Sequence, residues 1–212
     1  MRDPKLAAAI MKAVKLAVSI PVTLKMRLGW DGGTLNAAEF GRIAEDLGLS
    51  MLAVHGRTRC QMYAGKADWH KIAAVVDAVS IPVIANGDIR CADTATQAMA
   101  ASGSAGVMVG RGAQGRPWLV AQIGDVLAGR KMRAAPSILA RHDIMRSHLD
   151  DMITHYGPAA MRLARKHIVW YAHGLPGASE LRDIANNTTD AKTVFTAVDQ
   201  FFQKLYAEAQ AA

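Results

Sequence analysis

A chain of 212 residues that is 51% hydrophobic can bury a real core, which excludes a disordered polar segment. It has no run of about 18 apolar residues, and its charged start, MRDPKLAAAI, lacks a signal peptide's apolar stretch, so a cytoplasmic protein outside the membrane is expected. Lys plus Arg exceed Asp plus Glu by 25 to 18, a net charge of +7 that suits a polyanionic partner, while Cys60 and Cys91 have neither the number nor the spacing of a disulfide framework or a metal site.

Asp3 and Pro4 make an N-cap and first-turn pair ahead of Leu6, Ile10, Val14 and Val18, which predicts a first helix. The apolar run Ile20 to Met26 then reads as a buried parallel strand. Asn36 and Glu39 stand at capping-box spacing before Phe40, Ile43 and Leu47, opening a second helix. Further strand-like runs follow at Met51 to Val54, Ile81 to Ala85 and Gly106 to Val109. Strand then helix, recurring every 25 residues or so, is the rhythm of a parallel α/β fold.

Each run ends in polar residues two apart: Lys25 and Arg27, His55 and Arg57, Asn86 and Asp88, then Arg111. A period of two puts each pair on one face of its strand, at the end where parallel α/β folds bind ligands. Glycines in Asn86-Gly87-Asp88 and Gly110-Arg111-Gly112 would let backbone approach a phosphate, with Arg111 adding charge. If that phosphate belongs to a flavin mononucleotide, the Lys25 ammonium would stabilise the anionic reduced ring. His55 would bond the flavin or a substrate, and Arg57 a phosphate or a base.

From Gly129 onward the strand-like runs stop. Helical stretches cover Ser137 to His155, Ala159 to His173, Ser179 to Asn186 and Asp190 to Ala209, so residues 1–129 and 130–212 are expected to form separate domains. Gly129 should end one helix and Pro136 start the next. Arg162, Arg165, Lys166 and His167 fall at spacings that place several on one helix face, which suits backbone phosphates.

Five segments carry a resemblance to a known family: VTLKMRLGWD (Val22 to Asp31), AVHGRTRCQMYAGKADW (Ala53 to Trp69), PVIANGDI (Pro82 to Ile89), GVMVGRGAQGRPWL (Gly106 to Leu119) and ARKHIVWYAHGLPGASELR (Ala164 to Arg182). Together they resemble the tRNA-dihydrouridine synthases, in particular the bacterial B-type subfamily. The resemblance implies an FMN-binding (β/α)₈ TIM barrel followed by a helical tRNA-binding domain. NADPH would reduce the flavin, which would pass hydride to C6 of a uridine, and a cysteine would protonate C5.

Position by position, Lys25, His55, Asn86, Gly87, Asp88, Gly110 and Arg111 look like the FMN-binding residues. Arg57, Arg162, Arg165, Lys166 and His167 look like the RNA- or substrate-binding ones. The strands present resemble strands five to eight of the barrel, so no catalytic acid is assigned here and the family's cysteine is expected upstream. Such a half barrel would be inactive alone and prone to self-association through its open strand edges. Two other readings stay open: a non-catalytic RNA-binding fragment, and a different FMN-dependent oxidoreductase acting on a small molecule.

Overall fold

The computed structural model describes residues 1–211. The chain divides into two compact units. One comprises Met1–Gly112 with Ile123–Arg130, and the other Ala113–Gln122 with the chain from Lys131 onward.

The first unit alternates helix and strand: α1 (Pro4–Ala17), β1 (Thr23–Arg27), α2 (Ala37–Asp46), β2 (Met51–His55), α3 (His70–Val76), β3 (Val83–Asn86), α4 (Ala92–Ser102) and β4 (Gly106–Met108). All neighbouring strands pair in parallel, in the order β1-β2-β3-β4, making an open sheet edged by β1 and β4. Leu52, Val54 and Ala85 are fully buried and stand on the same face of the sheet, by alternation along β2 and by register across to β3. The register sets Arg27 opposite His55, His55 opposite Asn86, and Asn86 opposite Met108, a single row across the C-terminal ends.

Local chemistry fixes several helix starts. Asp3 caps α1 by accepting the Leu6 N–H at 2.9 Å, as its spacing suggests. The capping box expected at Asn36 and Glu39 does not form. Asn36 instead donates from Nδ2 to the Met1 carbonyl at 3.0 Å and leaves its own Oδ1 buried without a partner. Long-range contact has displaced a local cap. A reciprocal bond of that kind appears at α4, where Thr94 Oγ1 accepts the Cys91 N–H at 3.1 Å.

The apolar stripe that marks α1 as a helix faces outward: Leu6, Ile10 and Val14 are 58%, 56% and 45% exposed, and Met11 is the helix's buried residue. Periodicity thus identifies this helix without saying what covers it.

Helix α5 (Trp118–Leu127) is followed by Gly129, whose φ of +69° suits a residue without Cβ. The second unit is built mainly from α6 (Ile138–Tyr156), α7 (Ala160–Ala172), α8 (Ala178–Asn187) and α9 (Ala191–Ala211). Ser137 rather than Pro136 opens α6, accepting the Ala140 N–H at 3.2 Å. Asp190 opens α9 by accepting from Thr193 N–H and Oγ1 at 2.8 and 2.6 Å. Met145, Leu149, Ile168, Val198 and Phe202 centre a core shared by these helices. Among the described residues no helix is long and apolar enough to cross a membrane.

Candidate functional site

The strand-end residues of the first unit form one interlocked group. β2 ends on His55, and after Gly56 the chain turns so that Arg57 lies inward at 2% exposure. Its guanidinium meets four partners. Nε donates to the Ala64 carbonyl at 3.1 Å, Nη2 donates to the Gly65 carbonyl and to Asp88 Oδ2, each at 2.7 Å, and Nη1 lies 3.2 Å from His55 Nε2.

Asp88 also accepts the Ala67 N–H at 2.7 Å, and the Trp69 indole donates to the Gly87 carbonyl at 2.9 Å. The loop between β2 and α3 is therefore fastened to the end of β3. Asn86 ties β3 to β4 by donating to the Met108 carbonyl at 2.8 Å.

Gly87 is required by its surroundings. Its φ is +112°, and a Cβ there would lie 2.7 Å from both Ala67 Cβ and His55 Cδ2. Gly110 differs: it is exposed and a Cβ would meet nothing within 4 Å, so open space lies beside Arg111. Arg111 opens a single 3₁₀ turn, Arg111–Ala113, and its guanidinium carbon sits 4.5 Å from the Tyr63 ring centre. Arg27 approaches that ring to 5.8 Å and donates from Nη1 to the Thr58 and Met62 carbonyls at 2.7 and 2.8 Å. Tyr63 thus lies beside two guanidiniums.

The charges shift one another. Burial pushes His55 down to about 4, helped by Arg27, Lys25 and Arg57 and opposed by Asp88, so the imidazole is neutral at pH 7. Lys25 is exposed on β1, yet partial desolvation and then Arg27 hold its ammonium below the ordinary lysine value. Burial raises the Asp88 carboxyl, but the Ala67 N–H and Arg57 outweigh it and keep the group ionised. With Asp88 paired to Arg57, the cations Lys25, Arg27 and Arg111 leave this face receptive to an anion. Open space at Gly110 and that donor set fit a phosphate-bearing cofactor.

Of the residues the sequence singles out, Arg57 departs furthest from expectation. It is a buried tie between loop and strand, with one Nη1 hydrogen at most left for a ligand. Tyr63 and Trp69 were not singled out, although both stand inside the quoted motifs, and Arg27 was named at its strand end without a role of its own. Cys60 and Cys91 are exposed and outside this interlocked group, and among the described residues no cluster of His, Cys, Asp or Glu is placed to hold a metal.

In the second unit, Arg162 and Lys166 are exposed one turn apart on α7. Arg165 is half-buried with Nε shielded and unpartnered. His167 packs edge-on against His148 at 4.8 Å and Trp170 at 5.1 Å. Its burial, then His148 and Lys166, lower its pKa, so it adds an aromatic edge rather than a charge. The basic face on α7 therefore consists of Arg162 and Lys166.

Fold and site define the first unit as a parallel α/β protein with an anion-receptive face at the C-terminal strand ends. The chain belongs to the dihydrouridine synthase family, whose model matches residues 1–208. It is 47% identical over 206 residues to a protein of Rickettsia prowazekii named "Probable tRNA-dihydrouridine synthase", covering 97% of this chain and 63% of that relative. A Rhodobacter capsulatus protein of the same name is 47% identical over 205 residues, 96% of this chain and 63% of its own length. The "tRNA-dihydrouridine synthase B" of Xanthomonas axonopodis pv. citri is 43% identical over 199 residues, 92% of this chain and 60% of the relative, in keeping with the B-type motifs. The chain thus spans about three-fifths of the length of the curated relatives it matches.

Proposed function

We propose that this chain carries the phosphate side of an FMN site and an RNA-facing helix of a tRNA-dihydrouridine synthase. Its sheet corresponds to strands five to eight of a TIM barrel, residues 1–129, followed by a helical tRNA-binding domain, residues 130–212. The observation behind this reading is the cationic strand-end row, with Lys25 and Arg111 free of carboxylate partners among the described residues and open space beside Gly110.

Arg111 and the backbone of Gly110 hold the phosphate, while the ends of β2 and β3, with His55, Asn86, Gly87 and Asp88, shape the wall beside it. Lys25 keeps a positive charge where electron density collects, favouring the reduced ring electrostatically. When bound, FMN supplies hydride chemistry for reducing a tRNA uridine to 5,6-dihydrouridine, with NADPH as the reductant. No residue of this chain is assigned as the acid that completes the reduction; a cysteine outside it fills that role. The chain alone is inactive in this reading, cytoplasmic, and self-associates through the edges β1 and β4.

The test is titration of FMN with the full chain, followed by quenching of flavin fluorescence. Saturable quenching, weakened about tenfold by Arg111→Ala, is expected for loss of one charge-assisted phosphate bond. Fluorescence that stays constant as protein is added overturns the cofactor assignment. The exposed pair Arg162 and Lys166 favours a second reading, RNA binding without catalysis. Salt-sensitive tRNA binding by a chain that does not quench FMN would select it.

A further inference from the structure

We propose that Arg57 is a positioning residue that fixes the tautomer of His55. By donating from Nη1 to Nε2 it holds the imidazole as the Nδ1-protonated form, so that His55 meets a ligand as a hydrogen-bond donor.

The argument begins with what each group can do. A guanidinium has five N–H donors and no acceptor, so the 3.2 Å contact between Arg57 Nη1 and His55 Nε2 runs one way only. Nε2 must then present its lone pair, and a neutral imidazole carries its proton on the other nitrogen. Burial, with Arg27, Lys25 and Arg57 nearby, keeps the ring neutral at pH 7 against the opposing Asp88, so one ring N–H remains and it sits on Nδ1.

Neither partner can easily move. Bonds to Ala64, Gly65 and Asp88 hold the guanidinium, and both side chains are buried, at 2% and 7% exposure. The imidazole is wedged by Gly87, because the space where a Cβ would sit lies 2.7 Å from Cδ2 and 3.0 Å from Nε2. Among the described residues Nδ1 has no hydrogen-bond partner, which leaves its N–H for something else. The role toward a cofactor rests on the flavin reading above: a fixed donor suits a ring carbonyl or an unprotonated ring nitrogen and rejects the ring's own N–H.

Imidazole ¹⁵N spectra of the full chain at pH 7 read the tautomer directly, without cofactor. The expected result is an Nδ1-protonated His55 that turns, in Arg57→Met, toward the Nε2-protonated form favoured by free imidazole. An Nε2-protonated His55 in the unaltered chain overturns the proposal, and it does so even where Arg57→Met fails to fold. FMN titration supplies the second measurement. His55→Asn, whose amide puts a donor near the position of Nδ1, should bind FMN within about threefold of the parent, while His55→Gln, which reaches toward Arg57 instead, should lose about tenfold. The reverse ranking overturns the donor role. A chain that binds no FMN but shows Nδ1-protonated His55 sinks the flavin reading and upholds the tautomer assignment.

Discussion

Arg57 and Arg162 are the same residue under opposite conditions. Arg57 is 2% exposed and meets four partners at the end of the sheet, whereas Arg162 stands exposed on α7 with no partner among the described residues. A desolvated guanidinium is tolerated only where its hydrogen bonds are met, so the fold must be built around it. A hydrated one costs the fold almost nothing and stays available to a polyanion. Charge count alone does not separate these roles; burial and partners do.

The comparison is broken most forcefully at the buried arginine. Arg57→Met removes the partner of Asp88 and strands the Ala64 and Gly65 carbonyls, and should cost about 3 kcal/mol of stability in urea unfolding. A loss below about 1 kcal/mol, the range for exposed pairs, would mean that water replaces the tie. Gly87→Ala comes next, at about 2 kcal/mol, because the new methyl meets Ala67 and the imidazole in a backbone conformation with φ of +112°. The same assay measures it, and a neutral outcome would show that the loop yields freely.

A smaller effect sharpens the electrostatics of the buried side. An unfolded histidine titrates near 6.5, while His55 in the fold resists protonation until about 4. The unfolded state then binds more protons across that window, so stability falls as pH drops from about 6.5 to about 4 and is unaffected by this group above it. Urea midpoints compared between pH 7 and pH 5 should drop less in His55→Asn than in the parent chain. Equal drops would place the sensitivity elsewhere.

Much of this was legible in the sequence, and the rest was hidden for definite reasons. Val- and Ile-rich runs announced the strands, and the period-two polar pairs announced the row that the register later aligned, since both follow from local backbone geometry. Arg57 was visible as a site residue but its direction was not. Three of its four partners lie 7, 8 and 31 residues away, and only the β2–α3 loop folding back onto the end of β3 brings them together. Asn36 illustrates a competing effect, in which a distant carbonyl took the side chain that capping rules assign to the helix. On α7, spacing put four basic residues on offer, yet burial withdrew His167 into an aromatic packing that no helical wheel specifies.

The exposed side of the comparison predicts the smallest structural effect. Replacing both Arg162 and Lys166 with Ala should move stability by no more than about 0.5 kcal/mol, because neither side chain fills space in the helical core. If this face meets RNA backbone, the same variant should weaken tRNA binding and flatten the dependence of log affinity on log salt by about 1.4 to 1.8, the share of two lost phosphate contacts. Both slopes come from filter binding at a series of salt concentrations. Weaker binding with an unchanged slope would mean that the two cations act on the shape of α7 rather than on phosphate. Unchanged binding would return them to the status of a solvated surface.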